Sequence, residues 1–304
     1  MPAGDRATRD RQTRRSGSFG AVASTYERFR PGPPPAAIAW MLPDSAKIVV
    51  DLGAGTGAMT KDLLGKVDRV IAVEPDDRMR EILANNLPEV TALHGTGESM
   101  PLDTSSVDVV LASSSWHWMD PDRALQETAR VLVARGTLGV VWAGPDPDGP
   151  FVSQAQAMLT EMSSGQKGPT ARSDREPDLG TEVMDTENRV ETVLRIPDDS
   201  LFTQPEQTSL TWDVPLTADE LIGLLGTFSW IITMPDDRRA HVISEARRVL
   251  RDGLGISGDV TVNIQYRSEV WRTHLACRPA NKCAEAGSSR LPSALSPKCR
   301  APHQ

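Results

Sequence analysis

The chain has 304 residues, 39% hydrophobic and 24% charged, which is room for one large α/β domain with insertions or two modest domains. No window approaches the roughly 18 uninterrupted apolar residues of a membrane span, and the opening MPAGDRATRDRQTRRSGS lacks the apolar stretch of a secretory leader, so the cytoplasm is the expected compartment. Of the net charge of -8, residues 1–18 carry +3 and residues 272–304 carry +5, leaving -16 on 19–271; that acidic body argues against a polynucleotide substrate.

Residues 19–30 (FGAVASTYERFR) read as a short helix stopped by Pro31-Gly32-Pro33-Pro34-Pro35. A second helix, Ala36 to about Leu42, leads into the apolar strand Lys47–Asp51, a glycine-rich turn and a helix to about Leu64. Strand Arg69–Val73, helix Asp77–Asn86 and strands Val90–Leu93 and Val107–Ala112 follow. Leu125, Ala129 and Leu132 mark one face of a helix, and Thr137–Trp142 is a fifth strand. Strands alternating with helices predict a doubly wound, parallel α/β sheet.

From 145 to 200 the text turns polar and reads as a loop-rich insertion with one helix, Phe151–Met162. Order returns with strand Ser209–Val214. Thr217 reads as an N-cap with Glu220 in capping-box position, opening a helix to about Gly226. Val242, Ala246, Val249 and Leu250 mark another helical face, and Val260–Tyr266 is the last strand. Residues 1–18 and 273–304 read as disordered tails around a domain spanning 19–272. Cys277, Cys283 and Cys299 all fall in the second tail, at spacings that match neither a zinc site nor a disulfide framework, so no metal is expected.

The richest segment is IVVDLGAGTGAMT, carrying Asp51, Gly53, Gly55 and Gly57. Glycines between a strand and a helix let the backbone turn tightly and approach a ligand. The string GAGTGA also fits a dinucleotide fingerprint, and charge separates the two readings. A pyrophosphate on the loop would lie close to Asp51, where like charges in a partly buried site cost several kcal/mol, taking an effective dielectric of about 20. S-adenosylmethionine has no phosphate and carries a sulfonium and an ammonium, so an acidic loop suits it. Glu74, which follows the second strand, is placed to accept both ribose hydroxyls in either kind of site.

With these residues in view, Phe19 to about Trp271 resembles the class I S-adenosylmethionine-dependent methyltransferases, most closely the type-11 group that includes the trans-aconitate and malonyl-carrier-protein methyltransferases. Five ordered blocks carry the resemblance: FGAVASTYERFRPG, DLGAGTG, AVEPDDRM, GTGESMPLDTSSVDVVLASSSWHWMD and ALQETARVLVARGTLGVV. It implies a Rossmann-like, seven-stranded, mostly parallel sheet whose last strand is antiparallel. It also implies that Gly53, Gly55 and Gly57 lie under the methionine and ribose portion, with Asp51 near the ammonium and Glu74 on the ribose. Gly97 and Glu98 would border adenine. Ala112 and Ser113 would lie beside the sulfonium, and Tyr26 and Arg30 would close over the methionine end. Thr96 stands where the group often has Asp, and Ala134-Arg135-Gly136 replaces a common Pro-Gly-Gly, a change that affects a turn more than chemistry.

The expected reaction is methyl transfer to the oxygen or carboxylate of a small molecule, with no membrane or nucleic-acid partner. In-line displacement asks the protein mainly to align the acceptor and exclude water. His117 is a candidate base, or a structural residue packed among Trp116, Trp118 and the next helix. Trp116, Trp118 and Trp142 are candidates for an aromatic acceptor wall or for core. Phe228, Trp230 and Tyr266 fall in the late region that covers the acceptor in similar proteins, and His94 and His241 read as surface residues. Two other readings stand beside this one: an NAD-linked oxidoreductase, and a cofactor-binding relative that acts as a regulator without catalysis. Oligomeric state is not legible.

Overall fold

The computed structural model describes Phe29, residues 31–151, Ser153, and residues 193–227, 229–232 and 234–276, with Ser229 and Trp230 described by backbone alone. Pro35 opens helix α1 (Pro35–Met41), its fixed φ suiting the first helical position, and the helix buries Ala37, Ile38 and Met41. Then come β1 (Ile48–Leu52), the short α2 (Thr60–Leu63), β2 (Arg69–Val73), α3 (Asp77–Asn86), β3 (Thr91–Leu93) and β4 (Val107–Ser113). A single 3-10 turn, Trp116–Trp118, precedes α4 (Pro121–Val131) and β5 (Leu132–Pro145). After the insertion lie β6 (Glu206–Thr217), α5 (Ala218–Leu225), α6 (Ser229–Ile232), α7 (Asp236–Arg248) with a π turn to Gly253, and β7 (Thr261–His274).

The seven strands form one sheet in the order β3-β2-β1-β4-β5-β7-β6. β1 to β5 pair in parallel, and β7 runs antiparallel to both β5 and β6. Side chains alternate between two helix layers, as strand geometry requires. Val50, Leu52, Val110, Ala112, Val140 and Trp142 enter the core shared with α4, while Val49, Val109, Leu111 and Val141 enter the core of α1, α2 and α3. Burial on both faces explains why β1, β2 and β4 read as continuous apolar runs.

Helix starts follow local chemistry. Asp76 accepts from the N–H groups of Arg78 and Met79 to cap α3, and Asp120 accepts from Arg123 to cap α4. Thr217 and Glu220 form the anticipated capping box of α5. Several boundaries differ from expectation. Leu132 opens β5 rather than closing α4, because its backbone is already extended at ψ 139°. Opposite Val107 and Val109, β5 pairs through Leu132 and Thr137, so the intervening residues bulge outward, with Arg135 at φ +64°. β6 and β7 are longer than read, since their outward positions are polar, and β7 passes residue 272 to end at His274. No helix among the described residues is long and apolar enough to cross a membrane. The helix expected from Phe151 to Met162 lies almost wholly outside the described residues, as do the tail 1–18, nearly all of the helix expected over 19–30, and the second tail beyond residue 276.

Candidate functional site

Strand order reverses between β1 and β4, and in open α/β sheets the crevice beyond the strand ends at such a point is where ligands bind. A cleft opens there. Asp51, Gly53, Ala54 and Gly55 from β1 and its turn line one side, with Ser113 and Ser114 from the end of β4. The turn is held by the N–H groups of Gly53 and Ala54, which donate to the carbonyl of Val73 at 2.8 and 3.2 Å. All three glycines have positive φ, yet they do different work. A Cβ on Gly53 would lie 2.5 Å from Ser115 Cβ, so this glycine permits close packing beneath the cleft. A Cβ on Gly57 would press on Leu87 and Leu83 at 3.0 and 3.2 Å, so Gly57 serves the α3 contact and does not line the cleft. Gly55 has only Met79 Sδ within reach, at 3.9 Å, and opens onto the cavity.

Asp51 is 1% exposed and faces this cavity. Burial disfavours its charged form and pushes its pKa to about 7; the Thr60 hydroxyl, donating to Oδ2 at 2.6 Å, opposes the shift, and the nearby Glu74 charge adds to it. Glu74 is also buried, and burial raises its pKa too. Its carboxylate accepts from the N–H groups of Gly55 and Asp76, both at 2.9 Å, which pull the value back down. Of these two buried acids only Asp51 lines the cleft; Glu74 is tied to the turn through the Gly55 N–H.

The side where the resemblance puts adenine is folded differently from expectation. Gly97 is buried beneath Met119, whose Sδ leaves no room for an added Cβ. Glu98 turns from the cleft and accepts from the Asp120 N–H at 2.7 Å, anchoring the start of α4. Thr96 pairs with Ser99 in an isolated bridge.

Across the cleft, Ala143, Gly144 and Pro145 from β5 join Tyr266 from β7 and Leu224 from α5, with Pro31 and Gly32 completing the rim. Of the sulfonium-side pair, Ser113 lines the cleft, whereas Ala112 points into the α4-side core. Sequence reasoning missed Ser114, which sits at φ +50° with its N–H donating to the Val141 carbonyl at 2.8 Å. A residue forced into the left-handed region at a strand end beside a cavity is a common mark of a functional turn.

The tryptophans separate. Trp116 and Trp142 are 5% and 6% exposed within the α4-side core, and Trp118 is half-buried. None of the three lines the cleft, and neither does His117. The Trp142 indole N–H donates to His117 Nδ1 at 3.2 Å, and the imidazole packs on Trp118 at 4.5 Å between ring centres. His94 and His241 are exposed, as expected. Tyr26, Arg30 and Phe228 lie outside the described residues, and so does the side chain of Trp230. Tyr266 is drawn to the cleft, packed on Trp212 with ring centres 5.1 Å apart.

A glycine turn with a buried acid in the cleft wall, at the switch point of a 3-2-1-4-5-7-6 sheet, suits a methyl-transferring enzyme that uses a cationic sulfonium donor. The comparisons agree. The methyltransferase domain family matches residues 50–140. An uncharacterized methyltransferase of Mycobacterium tuberculosis H37Rv is 35% identical over 85% of this chain and 96% of its own length. An uncharacterized methyltransferase-like protein of Schizosaccharomyces pombe is 26% identical over 77% of this chain and 86% of its own. Among solved structures, a protein of Anaeromyxobacter dehalogenans provisionally assigned as a type II methyltransferase shares the fold at a TM-score of 0.55 and 23% identity, covering 82% of this chain and all of that one. This chain belongs to the methyltransferase family. Its cofactor is S-adenosylmethionine, which the buried Asp51 and the open face of Gly55 in the cleft wall fit in charge and in close backbone approach.

Proposed function

We propose that this protein transfers a methyl group from S-adenosylmethionine to an oxygen or carboxylate of a small molecule. The observation that carries the reading is Asp51: an acid held almost wholly out of water in the cleft wall gains most from a cationic ligand. In this reading Asp51 receives the ammonium of the donor and Glu74 its ribose hydroxyls. Gly97 borders the adenine once Met119 gives way, and Ser113 and Ser114 flank the reacting centre. The bound donor supplies a methyl carbon already activated by its sulfonium.

The protein's contribution on the acceptor side is alignment and exclusion of water, worth up to roughly 7–11 kcal/mol in favourable cases. Leu224, Pro145 and the Tyr266 ring form the wall suited to that task. A carboxylate acceptor arrives without its proton and needs no base, in keeping with the resemblance to carboxylate methyltransferases. His117 then acts by holding Trp142 rather than by moving a proton.

The test is transfer of labelled methyl from S-adenosylmethionine into a mixed metabolite extract. Label in a small, base-labile or ether-linked product supports the proposal. Cofactor binding with no label in any fraction supports a non-catalytic regulator instead.

A further inference from the structure

The cleft's rim is crossed by a stiff piece of chain. Pro31-Gly32-Pro33-Pro34 leads directly into α1, and its three prolines have a fixed φ, while Gly32 is held by its packing on Ala58. This stretch and Phe29, two residues before it, are seated at two points, each made possible by a glycine. At one end, Gly32 lies so close to the helix entry after the glycine turn that an added Cβ would be 2.7 Å from the Ala58 carbonyl oxygen. At the other, Phe29 fits into a notch on α5: a Cβ on Gly223 would lie 2.5 Å from both Cδ2 and Cε2 of the Phe29 ring. Pro31, between these seats, and Gly32 itself form the rim of the cleft.

The two seats belong to different halves of the molecule. Ala58 follows the turn that carries Gly53 and Gly55, whereas Gly223 stands on the helix that also gives Leu224 to the acceptor wall. Phe29 packs in the same apolar cluster as Leu224 and Tyr266. Glycine is a poor choice inside a helix on propensity alone, and α5 buries Ile222 and Leu224 on either side of it. Its presence is explained by the ring that lies against it.

We infer that Phe29 and Gly223 form a latch through which the acceptor-side helix α5 holds the Pro31–Gly32 rim over the methionine end of the cofactor, making both of them positioning residues for cofactor retention. The inference rests on the cofactor reading above. It follows that a change at the acceptor wall is felt as a change in how long the cofactor stays.

The variants Gly223→Ala, Phe29→Ala and the double variant test this, with S-adenosylhomocysteine as the probe and its dissociation rate measured by stopped-flow fluorescence. Alanine is the better helix former, so Gly223→Ala leaves α5 intact, and melting of the unliganded proteins checks that each variant folds. The latch predicts about tenfold faster release in each single variant and no further gain in the double variant, because either change opens the same contact. Release within twofold of wild type in both single variants overturns the latch while leaving the cofactor reading in place, and additive effects in the double variant overturn it as well. A wild-type protein that binds no S-adenosylhomocysteine removes the cofactor reading and the latch together.

Discussion

Asp51 affects the empty and the filled cleft with opposite signs. Burial holds its pKa at about 7, against 3.8 for the free side chain. The folded protein therefore keeps this proton more tightly than the unfolded chain, and stability falls as pH rises. The contribution is whole below 3.8 and is lost as pH passes about 7. At about 1.4 kcal/mol per pH unit, the loss comes to roughly 4 kcal/mol. Asp51→Asn keeps an oxygen for the Thr60 hydroxyl and does not ionise. At pH 8 the unliganded variant is expected to melt roughly 10 °C above wild type, and at pH 4 the two nearly coincide. Ligand binding runs the other way. A bound ammonium favours the carboxylate, so wild-type affinity for S-adenosylhomocysteine rises nearly tenfold per unit from pH 5 to 7 and then levels. The variant binds roughly 10- to 100-fold more weakly at pH 8, as expected for loss of a charge-assisted contact, with no pH dependence from this site. Melting curves and calorimetric titrations across pH 4–8 give both quantities. Wild-type affinity that is flat over that range, or a variant that melts no higher at pH 8, would refute the assignment of Asp51.

Gly55→Arg fills the open face of the turn and abolishes S-adenosylhomocysteine binding in a protein that still unfolds cooperatively, at a backbone cost of about 1–2 kcal/mol; retained affinity by calorimetry counts against the turn as cofactor seat. Gly53→Ala forces a methyl into Ser115 and lowers stability by roughly 2–4 kcal/mol, measured by denaturant unfolding, so the two glycines fail for different reasons. Glu74→Gln replaces one acceptor oxygen with an amide that cannot accept from both Gly55 and Asp76, and affinity for the nucleoside drops by about 1–3 kcal/mol on titration. His117→Ala strips the Trp142 indole of its acceptor at a cost of about 1–3 kcal/mol in stability, yet labelled methyl transfer stays within about tenfold. A loss of 10²–10⁴ would instead restore the histidine as a base, as general-base catalysis typically contributes about that much.

What could be read from the sequence was what lies close together along it. Asp51, Gly53, Gly55 and Glu74 sit in strand–turn–helix units, where residue type and spacing report backbone geometry directly, and the capping box at Thr217 and Glu220 is equally local. The acceptor side is built otherwise. Tyr266 reaches the cleft because β7 lies antiparallel against β5, which sets it opposite Pro145. No periodicity in either strand announces that pairing. Ser114 hides in a run of three serines, since nothing in the letters shows which one takes the left-handed conformation. The tryptophans were ambiguous because an aromatic residue suits a binding wall and a core alike. Alternation along β5 decides for Trp142 by placing it on the same face as Leu138 and Val140. Met119 was overlooked, since its closeness to Gly97 depends on how the loop before α4 folds back over the turn after β3.

The most direct measurement is a crystal structure of the protein with S-adenosylhomocysteine bound. It is expected to show the amino group against the Asp51 carboxylate, the ribose hydroxyls at Glu74, and Met119 displaced from Gly97 by the base. Density for the ligand elsewhere on the protein, or with its base at Asp51 and its amino acid end at Glu74, would contradict the account.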